Sequence, residues 1–255
     1  MTSQPQQIAR PGPAHPGRTA SVRSRRSLPN VGHLTAAQVL GNAAFVALRT
    51  SAQAPSPSQF VYKKVETSQG KITQSWLSVD GARNSIVAHL TIFGCVHGKL
   101  SVGPGTPAGA DRRCTPVRAY FPDMPTRASE MRAYLQRTQG VRPGNLNDLA
   151  KTVGGMLDTD YLLPAQQAAL YEFLARTPGI TVVRHATDAA GRPGIGVRWI
   201  FGRSAAMLIF DLQSFQYLGT ATKGIAGQLS GDALLQTAIV DNAGQLPQSG
   251  GSTSE

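Results

Sequence analysis

Apolar positions along this chain alternate between helical and strand spacing in long blocks. Over residues 35–49, Val39, Leu40, Ala43 and Ala47 recur on one side, and Thr35 stands where an N-cap belongs. After the Pro/Ser linker at 51–59, strand-like runs occupy 60–65, 72–79 and 84–93. Gln69-Gly70 and Asp80-Gly81 separate them, the second predicting a two-residue hairpin turn of the primed type. Residues 94–116 form a Gly/Pro-rich loop bracketed by Cys95 and Cys114.

Helical spacing then returns. Thr126 precedes a helix bearing Met131, Tyr134 and Leu135, with Glu130 near its positive end. Leu146, Leu149, Val153, Met156 and Leu157 mark a second helix after Pro143. Pro164 opens a third at a first-turn position, with Leu170, Phe173 and Leu174 as its stripe and Pro178-Gly179 as its stop. From 177 to 219 the pattern is that of a meander. Ile180, Val182 and Val183 precede a turn at 188–194, and Ile195, Val197, Trp199 and Phe201 follow at strict period two. Met207, Ile209 and Phe210 lead to Asp211, Tyr217 and Leu218 follow it, and a last strand is expected at 237–240. The order is helix, strands, helices, strands, without strand–helix–strand alternation. It predicts an α+β fold, a curved antiparallel sheet wrapping helices as an open half-barrel, in one domain over 35–245.

Charge adds little to that picture. The chain has 255 residues and a formal charge of +11. Arg10, Arg18, Arg23, Arg25 and Arg26 lie before Ala36 with no acid among them. Such a segment suits an anionic partner, but Pro and Ser fill its gaps and aromatic residues are missing. The reading is a disordered basic leader over 1–34 and a disordered tail over 246–255, with no nucleic-acid partner. No apolar run reaches the roughly 18 residues that span a bilayer; the best, 36–48, contains Gln38 and Asn42. No apolar segment of a signal peptide follows Arg25 and Arg26.

Several motifs in register carry a resemblance: QFVYKKVE, QSWLSVDGARN, GCVHG with CTPVRAYFPDMPTRASEMRAYL, LLPAQQAALYEFLARTPGITVV, DAAGRPGIGV, LIFDLQSFQYLG and TAIVDNAGQ. From about Thr35 to Gln245 the chain resembles a family of actinobacterial cell-envelope proteins with no accepted catalytic residues. Typical members have a short cytoplasmic segment, one transmembrane helix and an outer domain. Their genes often neighbour a sigma factor of the extracytoplasmic-function type. The outer domain is similar to the half-barrels of the lipoprotein-carrier and periplasmic anti-sigma regulator families, in which an unclosed sheet wraps helices around an apolar cavity. The resemblance implies an extracytoplasmic home. In this chain the Arg/Pro leader stands where it places the transmembrane helix.

No catalytic or metal-binding constellation emerges. Cys95 and Cys114 would pair as a disulfide in an oxidising compartment. Two separate thiols, or a metal pair with His89 or His97, are the alternatives, the last lacking a close ligand pair and a fourth ligand. His15, His33, His89, His97 and His185 have no neighbouring nucleophile at a recognisable motif, and His89 is read as a strand residue. Gly70-Lys71 lacks the upstream glycine of a phosphate loop, and 191–196 joins two strands. Asp158 and Asp160 end a helix, as a solvated loop or a cation site. Phe60, Tyr62, Trp76, Leu149, Val153, Leu170, Leu174, Trp199, Phe210 and Tyr217 are expected to face one another between sheet and helices. They would form a packed core or the wall of an apolar cavity. The expectation is a non-enzymatic envelope sensor or binding module, without cofactor, for an apolar ligand or partner peptide. A carrier of lipid and a hydrolase built from scattered His and Asp are its rivals.

Overall fold

The computed structural model describes residues 33–100 and 112–248. Helix α1 (Ala36–Leu48) begins at a reciprocal cap. The Thr35 hydroxyl accepts from the Gln38 N–H at 3.2 Å, and the Gln38 side-chain oxygen accepts from the Thr35 N–H at 2.8 Å. Four strands follow, β1 (Phe60–Thr67), β2 (Ile72–Ser78), β3 (Ser85–Val87) and β4 (Leu90–Ile92), then a small hairpin of β5 (Cys95–Val96) and β6 (Lys99–Leu100). Three helices come next: α2 (Ala128–Thr138), α3 (Leu146–Thr159) and α4 (Pro164–Ala175). The chain ends in the meander β7 (Ile180–Thr187), β8 (Pro193–Phe201), β9 (Ser204–Asp211), β10 (Tyr217–Lys223) and β11 (Leu229–Val240).

Nine strands make one curved, unclosed antiparallel sheet in the order β4-β3-β2-β1-β11-β10-β9-β8-β7. The joint is β1 against β11, running from Phe60 opposite Val240 to Thr67 opposite Asp232. The strand groups on either side of the helices are thus stitched into one surface. β4 and β7 are its open edges.

The helices cover one face. α4 is buried at Gln166, Ala168, Ala169, Leu170, Tyr171, Phe173 and Leu174, so its apolar surface runs around the helix. It is the central helix, with α1 and α2 packed against it. From the sheet, Ile195, Val197 and Trp199 of β8 and Leu208 and Phe210 of β9 enter the same core. The opposite face carries smaller clusters, one of Ala186, Ile209 and Leu218, another of Phe60, Tyr62, Trp76 and Val240.

The local chemistry departs from sequence expectation in several places. Residues 84–93 form a hairpin rather than one strand, because the chain reverses at Ala88, whose φ is 55°. His89 therefore lies in a turn, not within a strand. Asp80-Gly81 is part of a six-residue connection at 79–84 rather than a two-residue turn. There the Ser78 hydroxyl accepts from the Gly81 N–H at 3.1 Å, and the Asp80 carboxylate accepts from the Ala82 N–H at 2.8 Å. Gly81 is still required, since its φ is 74° and a Cβ would sit 2.8 Å from the backbone of Val117. The final strand begins at Leu229, because pairing with β10 holds the polar stretch around Ser230 and Asp232 without an apolar alternation. The leader and tail assigned to 1–34 and 246–255 lie outside the described residues except at 33–34 and 246–248, and Leu34 packs against the helical core. Among the described residues no helix is long and apolar enough to cross a membrane.

Candidate functional site

Helix α3, LNDLAKTVGGMLDT, has two working faces. Leu149, Val153, Met156 and Leu157 enter the core with α2 and α4. Asn147, Ala150, Lys151, Gly154, Gly155 and Asp158, spaced by three and four, border a cleft of about 740 Å³ between α3 and β8–β10. The cleft exists because this face carries Ala and Gly where a packed helix would carry Leu. A Cβ on Gly154 would touch the Thr220 methyl at 3.3 Å, whereas one on Gly155 would meet nothing within 4 Å. Two glycines inside a helix cost about 1 kcal/mol each relative to alanine. The chain carries that cost where the sheet leaves space.

The facing wall comes from Trp199 and Phe201 of β8, Ala206 and Leu208 of β9 and Thr220 and Thr222 of β10, and is mostly apolar. Trp199 is fully buried, and its Nε1–H has no hydrogen-bond partner among the described residues. A buried donor left unpaired costs roughly 1–3 kcal/mol, so the indole behind this cleft is held at a cost. Lys151, Arg203 and Lys223, all exposed, stand on its border.

A polar cluster closes the C-terminal end of α3. Lys63 of β1, although buried, donates through Nζ to the Leu157 carbonyl at 3.1 Å. Tyr217 donates to one Asp158 oxygen at 2.6 Å and Thr220 to the other at 3.1 Å. Thr159 donates to Asp160 at 2.9 Å. Burial dominates the titration of all three charged groups. It pushes Asp158 up to about 6, with Asp232 adding to the rise and the Tyr217 and Thr220 hydrogen bonds opposing it. It pushes Asp160 up to about 7 and Lys63 down to about 8. The Tyr217 hydroxyl is raised well above its ordinary value, by burial and then by the Asp158 charge. A second, more polar cavity of about 590 Å³ lies beyond this cluster, bordered by Lys63, Asp160, Gln167, Tyr171 and Tyr217.

The structure divides the predicted cavity residues. Leu149, Val153, Leu170, Leu174, Trp199 and Phe210 join one buried cluster, with Tyr217 packed against it. Of these, Trp199 borders the first cleft and Tyr217 the second cavity, while Val153, Leu170, Leu174 and Phe210 fill close-packed core. Leu149 borders a smaller recess of about 350 Å³ among the helices. Phe60, Tyr62 and Trp76 are not in this set and lie on the other face of the sheet. There the Tyr62 and Trp76 rings sit 5.4 Å apart and the Trp76 Nε1–H donates to the Gln245 carbonyl at 2.6 Å. The reason is strand alternation, which sends Val61 and Lys63 of β1 to the helix side instead. Sequence reasoning missed Lys63, whose signal was its parity with Val61, and it missed the role of Gly154 and Gly155. Asp158 and Asp160 are not a solvated loop but half-buried, hydrogen-bonded carboxylates; among the described residues no group of three or more His, Cys, Asp or Glu could hold a metal. His33, His89, His97 and His185 are exposed at scattered positions, and His15 lies outside the described residues.

Cys95 and Cys114 form a disulfide with Cα atoms 5.9 Å apart. It fastens β5 and the returning chain to the body, helped by Cys95 N–H donating to the Gly81 carbonyl at 2.8 Å and Cys114 N–H to the Gly98 carbonyl at 3.0 Å.

No family model matches the chain, and no curated protein matches it. Solved structures similar to it include the MucA/MucB complex of Pseudomonas aeruginosa, at 13% identity and TM-score 0.28, over 84% of this chain and 58% of that one. MucB in complex with MucA(peri) matches at 12% identity and TM-score 0.27, over 82% and 56%. MucB alone matches at 15% and 0.28, over 85% and 63%. The chain spans less than two thirds of the length of these MucB chains. A likeness of this size carries no functional inference for the present chain.

Proposed function

We propose that this protein is a non-enzymatic binding and regulatory module that works outside the cytoplasm. The cleft between α3 and β8–β10 takes an apolar ligand or the apolar segment of a partner peptide. One observation carries this reading: an apolar cleft of about 740 Å³ whose helix wall is thinned to glycine and whose facing wall includes Trp199, Phe201 and Leu208. A pocket with this volume, apolar walls and few polar groups is the usual form of a small-molecule site. The Cys95–Cys114 disulfide supports the compartment, because such bonds persist where the environment is oxidising. Membership of the actinobacterial envelope family and a link to sigma-factor signalling rest on the sequence motifs alone. MucB is seen bound to MucA(peri); for this chain the partner-peptide reading rests on its own cleft.

Lys151, Arg203 and Lys223 favour a ligand with an anionic end, so palmitate is a suitable probe. A naphthylamine dye should brighten on binding and be displaced by palmitate. Gly155→Phe should abolish both effects while leaving the melting temperature unchanged or higher, because Gly155 borders the cleft and a Cβ there meets nothing within 4 Å. Equal dye binding by wild type and Gly155→Phe would place the ligand elsewhere and overturn the assignment.

A further inference from the structure

The lobe built from 81–100 and 112–118 presents apolar and cationic side chains together. It is one unit, held by the β3–β4 pairing, the Cys95–Cys114 disulfide, and the hydrogen bond from Gly94 N–H to the Asn84 side chain at 2.8 Å. Five of its large apolar side chains are exposed: Leu90 is 61% exposed, Ile92 37%, Phe93 49%, Val96 42% and Val117 58%. Arg83, Arg112, Arg113 and Arg118 are exposed beside them. From Gly81 to Phe121 the sequence has five Lys and Arg and one acid, Asp111. At the β3–β4 turn, Ala88 shares a recess with Lys64, Lys71 and the exposed Ile72, with Glu66 opposite Ile72 in the β1–β2 ladder.

We propose that this lobe docks on an anionic lipid surface, with Leu90, Ile92 and Phe93 entering the headgroup zone and the arginines pairing with lipid phosphates. Apolar side chains interleaved with cations, nearly free of acid, match the two attractions that hold proteins at membrane interfaces, apolar burial and charge. A peptide added to the sheet edge fits less well. β4 offers it only three residues, and Leu90, Thr91 and Ile92 are all exposed, so both faces of the strand are bare. An added strand would pair the backbone and leave those faces uncovered, whereas a headgroup layer surrounds the strand and supplies water to its unpaired backbone groups. The inference is independent of the α3 cleft.

The test is co-sedimentation of the full chain with phosphatidylcholine vesicles, with and without phosphatidylglycerol. Binding should require phosphatidylglycerol and fall with added salt. Arg112→Gln/Arg113→Gln/Arg118→Gln should weaken it roughly 100-fold, at about fivefold per charge. Leu90→Ser/Phe93→Ser should weaken it at least tenfold, with melting temperatures unchanged in both variants because all five side chains are exposed. Binding that ignores both sets of substitutions would assign it to the basic leader and overturn the proposal. So would equal binding to both lipids. A dimer, or capture of an acidic apolar peptide in place of vesicles, lost in Leu90→Ser/Phe93→Ser, would show instead that a protein covers this lobe.

Discussion

Lys63, Asp158 and Asp160 show what a local reading can reach at single positions. That two acids end α3 is visible in the sequence. That Lys63 reaches the Leu157 carbonyl beside them, 94 positions away, and Tyr217 reaches Asp158, 59 positions away, depends on the fold bringing β1 and β10 to the same helix end. Burial of the two acids raises their folded pKa values to about 6 and 7, above an unfolded value of 3.8. Each therefore contributes stability that is full below pH 4 and lost as pH rises toward 7. Lys63 runs the other way. Its folded value of about 8 lies below 10.5, so its contribution is present above pH 10.5 and lost as pH falls through 8. These groups together predict a stability minimum near neutral pH. Asp160→Asn should raise the melting temperature at pH 7 by a few degrees, with the gain shrinking toward pH 4. A gain independent of pH would show that desolvation of this carboxylate is not the cause.

Among the elements, those with one dominant face were legible. α1, α3 and α4 follow from apolar spacing and from Thr35 and Pro164 at their starts, and β8 from its strict alternation. The β3–β4 hairpin was not legible, because Ala88 reverses the chain with none of the usual turn residues. The open face of α3 was also hidden, since Gly154 and Gly155 look like interruptions until the sheet behind them is known. The two glycines differ in a testable way. Gly155→Ala should stabilise the protein by roughly 0.5–1 kcal/mol, the ordinary helix preference, because nothing lies within 4 Å of the new methyl. Gly154→Ala should gain less, with its methyl 3.3 Å from that of Thr220. Denaturant titration of both variants measures the difference. Equal gains would mean that α3 stands farther from β10 than described.

For the whole molecule, the order of helices and strands was enough to predict an α+β fold with a curved, unclosed antiparallel sheet. It was not enough to say which side of that sheet each strand offers to the helices. Period two states that Phe60 and Tyr62 share a face; the pairing of β1 with β11 decides that the face points away from α3 and α4. The central claim is that the α3 cleft receives a ligand at Trp199, and the two tryptophans supply its most direct measurement. Trp76 donates its indole N–H to Gln245, whereas that of Trp199 has no partner among the described residues. In a nitrogen–proton correlation spectrum the two indole signals are separate reporters. Titrating palmitate should move the Trp199 signal, leave that of Trp76 in place, and move neither in Gly155→Phe. A Trp199 signal that stays fixed while palmitate saturates the protein would contradict the account.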